Sequence, residues 1–534
     1  MKKKQEMTPE RIWKRYQRGL SFCSAIGVED EVRANEDFFI GKQWEGVQSN
    51  GLPTPVFNFL KRVTLFTIAS VTSDSLKIYA SPMGQRKTPE HDRISEILNR
   101  EFERIFETGG MGALVREYAK NAAVDGDGCT YSYWDESLET GEGMKGGIVT
   151  ELVENTRVFF GNPNDRRVQT QPYIIIERQL CLPEARRLAE KGGADPELIE
   201  PDCDRAAAAY APGMDDKVTV LMHFYKDEKT DTVRCCQCTR KAMLSDTDTG
   251  LSLYPITWFC WDARRDCYHG QALISGLIPN QVFINKLFAM SMISLMTTAY
   301  PKIIYDKTRI ARWDNRVGAA IGVNGGDMAS VARIIDPAQI SPQIAQFIKL
   351  AVDYTETFLG ATAVAMGDAR PDNTSAILAL QRAASTPHEL TRRAIYDSIE
   401  ELGRIYLDFM SVYYGKRLVT SRVPEEISGE LADFAGVTPE GELDSLFDFS
   451  CLKSLPMQIK LDVGASAYWS EIASMQTLDN LLSGGKIDIE EYLERIPDGY
   501  ISQRRELLDK IRGARQTMEK MSDVLSERRA ENGK

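Results

Sequence analysis

Cys235, Cys236 and Cys238 form the densest set of potential metal ligands in this 534-residue chain. Zinc requires four converging donors, usually two Cys pairs or a Cys pair with a His pair at short spacing. No second pair follows here, and His223, the nearest histidine, lies too far upstream for a local knuckle. Thr232-Val-Arg-Cys-Cys-Gln-Cys-Thr239 reads as a strand, so reduced and partly buried thiols are the expected state. Asp125-Gly-Asp-Gly128 opens like a calcium loop and then fails: Cys129 stands where a third oxygen ligand belongs and Thr130 where the turn glycine belongs. Gly484-Gly-Lys486 continues into Ile487, which removes the phosphate cradle of an ATPase. His91, His223, His269 and His388 lie far apart, with no zinc-protease or Ser-His-Asp signature around them. Acidic residues could assemble a nuclease-like cluster in three dimensions, but no spacing singles one out. The expectation is a protein that is not an enzyme and carries no catalytic residue, metal or cofactor.

The elements say more than the motifs. Residues 281–362 hold two helix signals of nearly equal length, separated by about forty residues that do not read as helix. The first, Gln281 to Tyr300, is apolar almost all the way round, has Lys286 as its one charge, and stops at Pro301. The second opens on Ser341-Pro342, a cap and a first-turn proline, and runs through Ile344, Phe347, Ile348, Ala351, Phe358 and Leu359 to Gly360. Each would span roughly 30 Å, which describes a stalk with something at its tip. The first helix is too apolar to stand in water. A membrane would cover it, but Gln281, Asn285, Lys286, Ser291 and Ser294 interrupt a run that barely reaches bilayer length. The core of one large domain is a second possibility, and identical stalks packed side by side in a closed ring a third.

After Gly360 comes the turn-rich segment 363–374, and then a helix from about Ser375 to Tyr414. That helix spaces Ile395, Ile399, Leu402, Tyr406, Phe409 and Tyr413 at intervals of three and four, ends at Gly415, and should kink at Pro387. Trp44, Phe38 and Phe39 read as core anchors, Cys181 to Tyr210 as small surface helices, and the last thirty-five residues as an amphipathic helix. Met1-Lys-Lys-Lys4 leads into polar Gln5, Glu6 and Thr8 and not into the apolar core of a signal peptide, so the product should stay in the cytoplasm where it is made.

The chain resembles the portal proteins of tailed bacteriophages over most of its length. Asn35-Glu-Asp-Phe-Phe-Ile-Gly-Lys-Gln-Trp44 followed by Pro55-Val-Phe-Asn58 is similar to the family's opening segment. Phe159-Phe-Gly-Asn-Pro-Asn164, Ala299-Tyr-Pro-Lys-Ile-Ile304, and Thr374-Ser-Ala-Ile377 with Gln381 follow in the family's order. Ile459-Lys-Leu-Asp-Val-Gly464, Leu481-Leu-Ser-Gly-Gly-Lys-Ile487 and Tyr492-Leu-Glu-Arg-Ile-Pro497 complete the series. No single string is specific; their order and spacing are.

The resemblance implies an α+β portal fold with an α/β wing, a two-helix stem, a small α/β clip, a long kinked helix and a helical crown. Its expected limits are 1–265 for the N-terminal segment and wing, 266–300 for the first stem helix, and 301–341 for the clip. The second stem helix would take 342–362, a tunnel loop 363–374, the kinked wing helix 375–415, wing strands 416–465 and the crown 466–534. The implied function is a virion protein with no membrane partner, forming a dodecameric ring at one capsid vertex through which double-stranded DNA is packaged and ejected. It would nucleate capsid assembly with the major capsid and scaffolding proteins, dock the terminase large subunit, and later dock a head-tail adaptor. A smaller head-to-tail adaptor, or another ring-forming virion protein, is the alternative.

Candidate residues follow from that frame. Leu287, Ile293, Phe347 and Leu359 would pack between stems. Arg312, Asp314, Arg316 and Asp327 would face docking partners, on short runs containing Ile303, Ile304 and Ile321 whose strands pair between neighbouring subunits, with a turn at Asn324-Gly-Gly326. Met366, Asp368, Arg370 and Asp372 would line the channel. The formal charge of −12 agrees with a channel that repels DNA at close range instead of gripping it, although an acidic balance also simply keeps a protein soluble.

Overall fold

The computed structural model describes residues 7–45, 51, 53–73, 76–83, 88–139, 145–202, 216–299, 302–314, 316, 319–325, 327, 330–335, 343–358, 386–422, 442–463, 478, 481–484, 486–496, 507 and 510. The chain divides into a larger unit, residues 1–72 with 78–461, and a smaller one, residues 73–77 with 462–534.

The larger unit begins with α1 (Pro9–Ile26) and α2 (Val28–Ile40), joined at Gly27, whose φ of 70° lets the chain turn between two helices without a linker. In α3 (Phe59–Val71) the Asn58 side chain caps the first turn by accepting from the Lys61 amide at 3.0 Å. Strand β1 (Leu76–Pro82) leads into α4 (Pro89–Thr108), capped by Thr88, and α5 (Met111–Asp125) follows. Gly126, at φ 100°, ends α5 and lies so close to the 270 turn that a Cβ would sit 3.2 Å from the Gly270 carbonyl. The Asp125-to-Gly128 segment is therefore a helix-to-strand corner.

Two antiparallel sheets follow. The smaller has the order β3-β2-β9, from β2 (Asp127–Glu139), β3 (Lys145–Leu152) and β9 (Ile256–Cys260). The larger runs β4 (Val158–Phe160), β5 (Ile174–Cys181), β6 (Lys217–Lys226), β7 (Val233–Cys238) and β8 (Met243–Asp248) in sequential order. Its centre is covered on both faces, which is why Ile174-Ile175-Ile176 reads as an unbroken apolar run. Ile174 and Ile176 pack with Phe160, Tyr254, Trp258 and Tyr268 on one side, while Ile175 packs with Ile12, Tyr16, Phe159 and Leu221 under α1 on the other. The cysteine strand obeys the same alternation: Cys235 enters the first cluster, Cys236 and Cys238 the second, and all three are free and buried. Helix α6 (Leu182–Gly192), one of the expected small helices, lays Ala185 and Ala189 against Val218, Val220 and Leu244.

Two helices then frame a small β element. Helix α7 (Ile278–Ala299) precedes β10 (Ile303–Tyr305) and β11 (Ala332–Ile334), and α8 (Gln343–Phe358) returns and packs against α7. The Ser341-Pro342 cap lies outside the described residues. Of the long helix expected from 375, the described part begins with a 3-10 turn across Pro387 (Thr386–His388), continues as α9 (Glu389–Phe409), and ends in a π turn (Met410–Tyr414). Its stripe of Ile395, Ile399, Leu402, Tyr406 and Phe409 is buried. The Asp408 carboxylate accepts from the Ser252 and Leu253 amides at 2.7 and 2.9 Å, tying the spine to the loop before β9. Strands β12 (Lys416–Arg422) and β13 (Glu442–Asp448) pair antiparallel, and β14 (Met457–Val463) pairs with β1.

In the smaller unit, α10 (Ile489–Arg495) is capped by Asp488, whose side chain accepts from the Ile489 amide, and it buries Leu493. The amphipathic helix expected at the C-terminus lies almost entirely outside the described residues.

Candidate assembly and docking surfaces

Helix α7 is built in two halves. Its root is polar and enclosed: Gln281 and Asn285 are buried, and their side chains join a relay of amides. The Leu60 amide donates to Gln281 Oε1 (3.2 Å), and Gln281 Nε2 donates to Asn285 Oδ1 (2.9 Å) and to the Phe57 carbonyl (2.8 Å). Asn285 Nδ2 donates to Gln43 Oε1 (2.7 Å), and Gln43 Nε2 to the Phe38 carbonyl (3.1 Å). The polar residues that interrupt an apolar run are thus its anchors, and each buried amide is satisfied.

Beyond Ala289 the helix has no buried residue. Phe283, Met290, Met292, Leu295 and Met296 are exposed, Leu295 at 59 %. On α8 the exposed apolar residues are Phe347 (56 %), Leu350 and Tyr354, spaced as one face of a helix. So many exposed large apolar side chains on one helical hairpin mark an interaction site. Among the sequence-nominated packing residues, Phe347 stands on this surface, whereas Leu287 and Ile293 are half-buried within the chain and Leu359 lies outside the described residues. Leu295, Met296, Leu350 and Tyr354 carry the exposed surface in their place. A helix apolar on every side offers no periodicity by which sequence could choose among its faces.

Helix α7 is also long and apolar enough to cross a membrane by length and composition. Its root carries the buried amides of Gln281 and Asn285, hydrogen-bonded to Leu60 and Gln43 of the same chain.

At the tip, β10 and β11 pair within the chain: Ile303 faces Ile334, Ile304 faces Arg333 and Tyr305 faces Ala332. Sequence placed strand partners in neighbouring subunits and included the Ile321 run. The observed ladder is internal, and Ile321 lies in irregular chain, with Gly325 in the left-handed turn conformation. Ile310 and Val331 beside it are buried, and Trp313 stacks on Tyr305 at 5.3 Å. Arg316 chelates Asp314 through Nε (3.1 and 3.0 Å) and a terminal nitrogen (2.5 Å), and these bonds hold the Asp314 carboxyl below its usual range. Arg312, Arg316 and Asp327 are solvent-facing, and Asp314 is partly covered. Met366, Asp368, Arg370 and Asp372 lie outside the described residues.

One constellation with the order of a nucleophilic triad went unseen in sequence. Asp127 Oδ2 bonds His269 Nδ1 at 2.8 Å, and Cys23 Sγ lies 3.6 Å from His269 Nε2. Asp127 Oδ1 also accepts from the Gly270 amide at 2.7 Å. A nucleophile needs substrate access, and Cys23 is 8 % exposed, His269 1 % and Asp127 2 %, so the cluster pins α1 to the sheet core. Burial opposes a charge on His269, but the hydrogen bond of Asp127, that of Cys23 and the charge of Asp127 outweigh it and lift its pKa to about 9. His223 shows the opposite outcome: burial, then the nearby Arg15 and Arg11 charges, push it down to about 3, and its Nε2 faces the Arg15 guanidinium at 2.8 Å. Among the described residues, no group of three His, Cys, Asp or Glu side chains converges as a metal site.

No curated protein matches the chain. Residues 190–430 match the sequence model of the family described as Phage P22-like portal protein. The match covers less than half of the chain but takes in both helices of the exposed hairpin, the β element between them and the buried spine of α9; it supports a tailed-phage portal protein, a component of the virion capsid.

Proposed function

We propose that the chain is one subunit of a closed ring, twelvefold by the family resemblance, set at a single capsid vertex and passing double-stranded DNA through its centre. The observation that carries this reading is the exposed apolar side chains that both α7 and α8 present, Leu295 and Met296 on one helix and Phe347, Leu350 and Tyr354 on the other. In this reading the residues exposed on α7 of one copy meet those exposed on α8 of the next, a head-to-tail contact that makes a ring when it closes on itself. In this assignment α7 and α8 are the stem, residues 301–341 the clip, 363–374 the tunnel loop and 466–534 the crown. The work is mechanical: nucleating capsid assembly with the major capsid and scaffolding proteins, holding the terminase large subunit during packaging, then holding the head-tail adaptor.

The clip is the docking end. Arg312 presents its charge openly, whereas Arg316 shares its charge with Asp314. In a reconstituted packaging reaction, Arg312→Glu is expected to lower motor-dependent DNA uptake roughly tenfold, equivalent to about 1.4 kcal/mol of docking free energy. Arg316→Glu should do less alone, and ring mass should be unchanged in both. Uptake at the parental level in the double variant would remove the clip from the docking surface. In the tunnel loop, Asp368 and Asp372 flank the single cation Arg370, an arrangement suited to weak and transient contact with a sliding duplex.

A further inference from the structure

The amide relay at the root of α7 has a property that simple anchoring does not require: every donor points the same way. From the Leu60 amide it passes to Gln281, from Gln281 to Asn285, from Asn285 to Gln43, and from Gln43 to the Phe38 carbonyl. Hydrogen bonds aligned head to tail polarise one another, so breaking one weakens the rest. The relay is enclosed: Gln281, Asn285 and Gln43 are all buried, where an amide left unpaired bears its full desolvation cost.

Its surroundings make it a junction. At one end Asn58 Nδ2 bonds the Phe39 carbonyl at 3.0 Å, while its Oδ1 caps α3, so the end of α2 and the start of α3 are clamped by one side chain. Trp44 Nε1 donates to the Pro55 carbonyl at 3.0 Å and closes the loop between them. The Phe57 ring packs against Phe288, one turn beyond the relay, with centroids 4.3 Å apart and planes tilted by 31°. At the other side Asn280 Nδ2 donates to Thr355 Oγ1 at 3.2 Å, carrying the junction into α8. Beyond Ala289 no residue of α7 is buried, so the contacts that fix the direction of α7 are concentrated at its root.

We propose that the relay Gln43–Asn285–Gln281 is a two-way mechanical coupling between segment 38–60 and the exposed helix hairpin, with Gln43 and Asn285 as its positioning residues. A displacement of the α2–α3 junction is handed to α7, and a displacement of α7 is handed back. Under the ring reading this sets the tilt of the stem; the coupling itself rests only on the subunit's own geometry and stands if that reading falls.

The test is hydrogen exchange on the full-length protein in its purified assembly state, comparing parent, Gln43→Leu, Asn285→Leu and the double variant. Coupling predicts that Gln43→Leu speeds exchange at 282–289 about tenfold although it lies on another element, and that Asn285→Leu speeds exchange at 38–45 equally. The double variant should match either single one, since a relay broken once carries nothing more. Effects confined to the mutated segment, or effects that multiply in the double variant, would overturn the coupling and leave ordinary packing. Amides of β5 and β6 report global loosening. If the leucine variants loosen those too, Gln43→Ser and Asn285→Ser, which leave room for a bridging water, are read by the same criteria. Ring mass, measured in parallel, separates failure of the coupling from failure of the assembly reading.

Discussion

Replacing Leu295 and Met296 together by aspartate should reduce the protein from a closed assembly to single subunits. Both side chains are exposed in the isolated chain, so the substitution leaves the subunit's own packing untouched. In a ring each would be covered by a neighbour, and an unpaired charge held there costs roughly 3–5 kcal/mol per contact. A closed ring repeats that cost at every interface. Native mass spectrometry reads the outcome directly, and circular dichroism should show the helix content retained. An unchanged oligomer would mean that this face of α7 is not the one that meets a neighbour. Leu287→Asp makes a contrasting case, because Leu287 is half-buried in the chain. It should damage folding of the hairpin root as well as assembly.

A second large effect is expected at the buried His269–Asp127 pair. His269 titrates at about 9 in the folded protein and near 6.5 when unfolded, so its pairing contributes fully below pH 6.5 and is lost as pH rises through 9. That difference corresponds to on the order of 3 kcal/mol. Urea unfolding should therefore show the midpoint falling between pH 6.5 and 9. Trp258, whose ring lies 5.6 Å from His269, provides the fluorescence signal. His269→Gln should flatten that slope, and Asp127→Asn should lower stability at pH 6.5 by roughly 3–5 kcal/mol by leaving the imidazolium without its partner. A slope that persists in His269→Gln would assign the pH dependence to another group.

Much of the skeleton could be read from residue patterns, for identifiable reasons. The α9 stripe is legible because one buried face recurs every three or four residues and a glycine follows. The α7–α8 hairpin is legible because Pro301 stops the first helix and turn-forming residues follow the second. What failed was any feature decided by partners distant in sequence. His269 is 142 positions from Asp127 and 246 from Cys23, so no local spacing could reveal their cluster. Gln281 and Asn285 register in sequence only as interruptions of an apolar run, since their partners at Gln43 and Leu60 belong to a different segment. Leu287 and Ile293 are half-buried within the chain and Leu295 and Met296 exposed, a distinction that an evenly apolar helix does not encode in its residue pattern. At the β10–β11 ladder the strand at Ile303 has an internal mate at Ile334, thirty-one positions on and beyond the irregular chain around Ile321, a pairing that local pattern does not announce.

The central claim is that the apolar faces of α7 and α8 are covered by neighbouring copies in a closed ring. Negative-stain imaging of the purified full-length protein tests it most directly. The account predicts ring-shaped particles with a central opening and rotational symmetry, persisting as salt is raised because the contacts are mainly apolar. Single subunits at high protein concentration in every salt condition, or open filaments in place of rings, would contradict it.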